Sequence, residues 1–257
     1  MVDCLFLCNL AIQNLKYYTA MKRLLLSIFA IACSINLWAQ EALTTTPTPI
    51  QATLSDFNSI NVNAPIKLKL IKIDKRETPY IIYDTKGVFT SKFEYEVEKR
   101  DGGILKISER SESKRESITE VEVYFNELTD ITISKADVTV DGVLTANILD
   151  LFISNDSHFT AEVNAMDVAV HASGKCCIVL SGDARYQTVD ISTAEYNAAK
   201  LTTVSTVASA SHNAMVKVYA TERLEASTST GGKILYYVEP VILRSSITLF
   251  GGEIKLH

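Results

Sequence analysis

Through the second half of the chain, apolar residues recur two apart and a serine closes each pair. The closing serines are Ser134, Ser154, Ser173, Ser192, Ser211, Ser229 and Ser246, at intervals of 20, 19, 19, 19, 18 and 17 residues. Three places before them stand Ile131, Leu151, Val170, Val189, Ala208, Ala226 and Leu243; one place before stand Ile133, Ile153, Ala172, Ile191, Ala210, Thr228 and Ser245. Period 2 puts each pair on one face of a strand. A short polar segment follows each serine, then a second strand such as Val138-Thr139-Val140, Ile178-Val179-Leu180 or Val216-Lys217-Val218. A coil of roughly 19 residues is too short for a helical crossover between parallel strands. Stacking the coils solves this, because each strand then pairs with its equivalent in the next coil and the apolar positions become continuous columns. The pattern predicts a single-stranded right-handed parallel β-helix of about seven short coils over residues 126–257. The columns pass from Ile and Leu to Ala and Thr while the interval falls, which predicts a taper. The competing architecture is an antiparallel sandwich with regular strand spacing.

Residues 57–125 alternate without that interval and predict an N-terminal β-rich cap. Ile66, Leu68 and Leu70 alternate with lysines, and Phe93, Tyr95 and Val97 with glutamates. Asp101-Gly102-Gly103 marks a turn into Ile104–Ile107. Tyr80–Tyr83 is a further short strand, and the charged run 109–120 reads as a solvated loop. The segment 41–56, rich in Thr and Pro, reads as an extended linker; the alternative is that a few of its residues add an edge strand. No stretch after residue 40 sustains a helical period over three turns.

Residues 1–40 read as an address. Lys22 and Arg23 precede an apolar run, Leu24–Ala32, and a small residue, Ala39, stands before Gln40. That order is the order of a secretory signal peptide starting at Met21, with residues 1–20 upstream of it. A lipid-modified Cys33 is the second option, and its neighbours fit that role less well.

Chemistry is sparse. The net charge of −5 and the lack of a basic patch exclude a nucleic-acid binder. Cys176 and Cys177 point to opposite faces of a strand, which suits neither a disulfide nor a shared metal site. The histidines, His158, His171, His212 and His257, form no metal-ligand spacing. Carboxylates able to serve a polysaccharide-cleaving site are Asp137, Asp156, Asp167, Asp183, Asp190 and Glu195, with Asp137 and Asp156 the pair expected on one edge in adjacent coils. An aromatic row for glycan binding would draw on Phe159, Tyr186, Tyr196 and Tyr219, which share no offset from the serines. No cofactor motif occurs.

Four passages resemble the putative auto-transporter adhesin, head GIN domain family of exported bacterial proteins. They are Phe57–Val62 (FNSINV), Asp101–Ile107 (DGGILKI), Val121–Val140 (VEVYFNELTDITISKADVTV) and Thr230–Pro240 (TGGKILYYVEP). The family usually places Ser-Gly at each corner; here only Ser173-Gly174 keeps it, and Asn126 stands where proline is common. The resemblance implies an exported β-helical domain with an adhesive role and no catalytic residues. The expected function is therefore a non-enzymatic cell-envelope protein at the periplasm, outer-membrane surface or cell exterior. Its partner would be a glycan or an envelope protein. A scaffold that binds proteins or its own copies through an open helix end is the alternative, and a polysaccharide-cleaving enzyme the more distant one.

Overall fold

The computed structural model describes residues 49–86, 92–100, 102–110, 117–248 and 250–257. The expected signal peptide from Met21 and the alternative lipid site Cys33 lie outside the described residues. Residues 49–257 form one compact unit. Its strands are β1 (Ile50–Thr53), β2 (Ser59–Asn63), β3 (Ile66–Lys72), β4 (Tyr80–Asp84), β5 (Phe93–Glu98), β6 (Ile104–Glu109), β7 (Thr119–Phe125) and β8 (Asp130–Ser134). The long bent strands β9 (Asp137–Ser154), β10 (His158–Ser173), β11 (Cys177–Ser192), β12 (Glu195–Ser211) and β13 (Met215–Ser229) follow. The last are β14 (Lys233–Tyr236), β15 (Ile242–Thr248) and β16 (Glu253–Leu256).

The fold is an all-β parallel solenoid. Strands β8 to β13 pair in parallel with the next in sequence, and β13 pairs with both β14 and β15. The expected column exists: Ile133, Ile153, Ala172, Ile191, Ala210 and Thr228 are consecutive partners, and all are buried. A second column runs Ile131, Leu151, Val170, Val189, Ala208, Ala226, and a third, from the other sheet, runs Val138, Phe159, Ile178, Tyr196, Val216, Ile234. Burying whole columns of side chains stabilises at about 25 cal/mol per Å² of apolar surface, and it rejects any one-residue slip of register.

The N-terminal region is more than a cap. Strand β2 lies between β6 and β8, and β3 lies between β7 and β9. Segment 59–72 is thus a coil inserted between segment 104–125 and the first repeat. Ile107 and Val62 extend the first column downward, and Leu105 and Ile60 the second. The chain must then cross one layer between β7 and β8. Asn126 fixes that crossing: its Nδ2 donates to Asp74 O at 2.7 Å and Glu77 O at 3.0 Å. Among the described residues only β1, β4 and β5 are antiparallel, on β4, β7 and β6 respectively. Residues 50–53, within the predicted linker, form edge strand β1, and Leu54 beside them is buried. Of the charged run, Glu109 is buried and accepts from Thr119 Oγ1 at 2.6 Å, so its ends are structural.

The corners explain the serine spacing. After each serine the next residue takes a positive φ: Lys135 (64°), Asn155 (54°), Gly174 (83°), Thr193 (62°), His212 (53°) and Thr230 (50°). An L-residue there costs about 1–2 kcal/mol, which is why glycine suits the position. Asn155 partly offsets this cost by donating to Ser134 Oγ one layer below, at 3.1 Å.

The last anchor is corrected. Ser229 pairs with Thr248, and Ser246 pairs with Ser227. The final interval is therefore 19 residues, and the predicted narrowing of spacing to 17 does not occur. Leu243 pairs with Leu224 and is 42% exposed, because nothing among the described residues covers β15. The segment 236–257 forms the last coil and leaves it open.

A polar island interrupts the core at positions that nothing in the apolar pattern marks. Tyr196 and Gln187 are hydrogen-bonded, Thr206 Oγ1 donates to Gln187 Oε1 at 3.2 Å, and Thr203 and Thr206 share a bond of 2.7 Å. All four are buried. Burial pushes the Tyr196 phenol far up, so it stays neutral, and its oxygen accepts from Gln187 Nε2.

Candidate ligand-binding face

Parallel stacking turns the outward positions into columns, as it does the inward ones. On the sheet that carries the serines, three columns face solvent. One reads Asp130, Asp150, Ala169, Thr188, Val207, Glu225; the middle one reads Thr132, Phe152, His171, Asp190, Ser209, Ser227; the third begins Ser134, Ser154, Ser173, Ser192, Ser211. A ladder of hydroxyls thus flanks a middle column that holds one aromatic pair.

Phe152 is 45% exposed although it sits on a central strand. Its ring stacks on His171 in the next layer, with centroids 5.1 Å apart and planes 12° apart. Asp190 follows one layer further on, exposed, and among the described residues no hydrogen bond or ion pair holds its carboxylate. A shallow groove of about 280 Å³ is lined by Thr132, Phe152, Ser154, His171, Ser173 and Asp190. On its acidic side, Asp150 is pushed up from the usual 3.8, first by burial and then by Asp130 and Asp167, with His171 pulling the other way. Asp130 is tied down by Thr129 Oγ1 at 2.6 Å and Ser59 Oγ at 3.2 Å.

The aromatics expected to bind are mostly elsewhere. Phe159 and Tyr196 are fully buried core residues, Tyr219 is half-buried, and exposed Tyr186 lies in a different column under the Arg185 guanidinium. Phe152 and His171 were hidden by the pattern itself, since they are outward residues between inward ones and meet only across 19 positions of sequence. The candidate carboxylates do not converge. Asp137 pairs with His158, and Asp156 sits at a corner with φ 54°, so the expected edge pair is absent. Glu195 shares the Asp137 column two layers beyond His158, while Asp167 pairs with Tyr186, Asp183 with Asn164 and Asp190 with His171. No group of His, Cys, Asp or Glu among the described residues could hold a metal ion. Cys176 is buried, Cys177 is half-buried on the outer surface, and both are free thiols. His158 and His212 are exposed; His257 stacks on Tyr237 at 4.6 Å.

A larger depression of about 570 Å³ near the N-terminal end is lined by Asn61, Asn63, Glu96 and Lys106. Its lysine is committed to Glu98 at 2.7 Å, and Tyr95 turns toward Tyr83 and Phe93, so it offers no open ring.

Columns of outward side chains on a parallel solenoid, with shallow grooves and dispersed carboxylates, define a repetitive display surface. Over residues 56–240 the chain matches the model of the family described as putative auto-transporter adhesin, head GIN domain, and it belongs to that family. No curated protein matches it. Several crystal structures share the fold, three of them as follows. A putative adhesin from Bacteroides fragilis aligns with a TM-score of 0.74 at 18% identity, covering 81% of this chain and 96% of that one. A protein described as a putative lipid binding protein from Parabacteroides distasonis aligns at 0.62 and 16% identity, covering 82% and 98%. A putative adhesin from Parabacteroides merdae aligns at 0.56 and 16%, covering 81% and 96%. At these identities the likeness is one of fold.

Proposed function

We propose that this chain is an exported, non-enzymatic adhesive module that holds a large, extended ligand against its serine-column face. The family supports an adhesive role and a place at the cell surface. The observation that carries the reading is the unbroken outward ladder, Ser134 to Ser211, beside the exposed Phe152–His171 pair. Catalysis on a glycoside needs two carboxyl groups across one bond, about 5–9.5 Å apart on either side of the sugar, in a cleft. The six candidate carboxylates are scattered over separate columns and corners. The experiment is adhesion of beads carrying residues 41–257 to the envelope of the producing cell and to host-surface material. Adhesion lost when Phe152 and His171 are both changed to Ala supports the reading. Unchanged adhesion moves the contact to another face, and release of reducing sugar from any polysaccharide overturns the non-enzymatic assignment.

A second reading has its own observation. Val241, Ile242, Leu243, Ile247 and Phe250 are all exposed at the last coil, and among the described residues β15 pairs only with β13. An open strand edge with apolar side chains is a docking template for another protein or a second copy. Sedimentation of the chain alone and with envelope extract tests it: a species larger than monomer that Leu243→Asp dissolves would favour the scaffold role.

A further inference from the structure

We infer that the Phe152–His171–Asp190 column is a saccharide subsite, selective for neutral pyranose units over acidic ones. The inference rests on the adhesive reading and names its ligand class. Three features converge on it. The Phe152 ring is open to solvent at a position where burial was available on the other face of the strand, so its apolar surface stays exposed at a cost. The Phe152 ring stacks on His171 and is still 45% exposed, and the C–H groups of a pyranose pack on such an aromatic platform through weak, additive contacts. Around the platform stand acceptors and hydroxyls in place of apolar walls: Asp190 at one end, Thr132 at the other, and Ser154 and Ser173 along one side. Carboxylates accept hydrogen bonds from vicinal sugar hydroxyls, and serines both donate and accept. An acyl chain would leave these groups unpaired, which disfavours a lipid in the groove.

Charge sets the selectivity. Asp130 and Asp150 lie on the far side of the platform and Asp190 at its end, with no lysine or arginine lining the groove. Asp130 and Asp150, cross-strand partners in adjacent layers, would repel a uronate or sialate carboxylate placed beside them. The site therefore takes neutral sugars and rejects anionic ones. Layers repeat at about 4.8 Å, so consecutive sugar units of a linear chain can meet consecutive layers: one stacks on Phe152 while the unit two further along reaches Asp190, two layers away.

The test uses residues 41–257, wild type and two variants, titrated with cellohexaose, maltohexaose, mannohexaose and an oligogalacturonate of the same length. Binding of at least one neutral oligomer is expected, weakened about tenfold or more by Phe152→Ala and by a smaller factor by Asp190→Asn. Oligogalacturonate should bind at least tenfold more weakly than that neutral oligomer. The melting temperature of each variant, measured alongside, should match wild type because both residues are exposed. Three results overturn the assignment: no neutral oligomer binds, Phe152→Ala binds as wild type does, or oligogalacturonate binds best. Beads that still adhere when Phe152→Ala has lost nothing leave the adhesive reading standing and remove only this subsite; beads that never adhere remove both.

Discussion

The two ends of the solenoid carry the same columns and finish them differently. At the N-terminal end, β4 and β5 add antiparallel strands to the two sheets, and their rings meet across the core. Tyr83 lies 4.7 Å from Phe93 and 5.6 Å from Tyr95, centroid to centroid, and Ile107 beneath them is 1% exposed. At the C-terminal end, Ile247 occupies the same column and is 55% exposed, Phe250 is 90% exposed, and the buried Thr228 hydroxyl has no partner among the described residues. Strand edges invite pairing, and this fold closes one while leaving the other available. A stacked coil thus needs neighbours on both sides before its apolar residues contribute fully; Ile247 joins the Ile153 column only through the register Thr228↔Ile247, which the serine spacing misplaced.

Substitutions at matched positions break or sharpen that contrast. The largest effect is expected from a charge inside a central column. Ile153→Asp should unfold the chain, because an unpaired buried carboxylate costs several kcal/mol, comparable with the stability of a domain. Ile247→Asp should cost less than about 1 kcal/mol and should reduce any self-association. Thermal melts of both variants decide this, and similar losses would mean that the last coil is covered. Next come the rings at the two ends. Phe93→Ala should destabilise by about 3 kcal/mol through the cavity it leaves, whereas Phe250→Ala should fall within about 0.5 kcal/mol of wild type in urea titrations. A gain comes from the corners. Thr193→Gly should stabilise by about 1 kcal/mol, since Thr193 is β-branched at φ 62° and glycine takes that conformation freely. The smallest effect is a pH dependence. The folded Asp150 carboxyl titrates above its unfolded value, so its contribution is full below pH 3.8 and is lost as pH rises through the folded pKa. Asp150→Asn should raise the melting temperature at pH 7 and leave it unchanged near pH 3; a gain at both would point to packing.

Much of the fold was legible because period 2 and a 19-residue interval report on burial and on corners together. Ile133, Ile153, Ala172 and Ile191 could be aligned by eye, since the pairing that joins them is strictly in register. The non-sequential coil was not legible. Strand β2 partners β6 and β8, 45 and 71 positions away, through residues such as Ser59 and Ile60 that carry no mark of their neighbours. Nor was the open end, because exposure of Leu243 depends on what lies beyond it. Within the candidate site, the serines announced a face, but Phe152 and His171 stand between inward residues and look like ordinary outward positions. Only stacking brings them to 5.1 Å.

Distances along the serine column test the stacked arrangement most directly. Ser108, Asn63, Ser134, Ser154, Ser173, Ser192 and Ser211 follow one another layer by layer. Spin labels at Ser108 paired with Ser173, Ser192 or Ser211 should read about 19, 24 and 29 Å, one layer of about 4.8 Å at each step. Distances that alternate, or that fail to grow from Ser173 to Ser211, would contradict a parallel solenoid with the 59–72 coil inserted beneath the repeats.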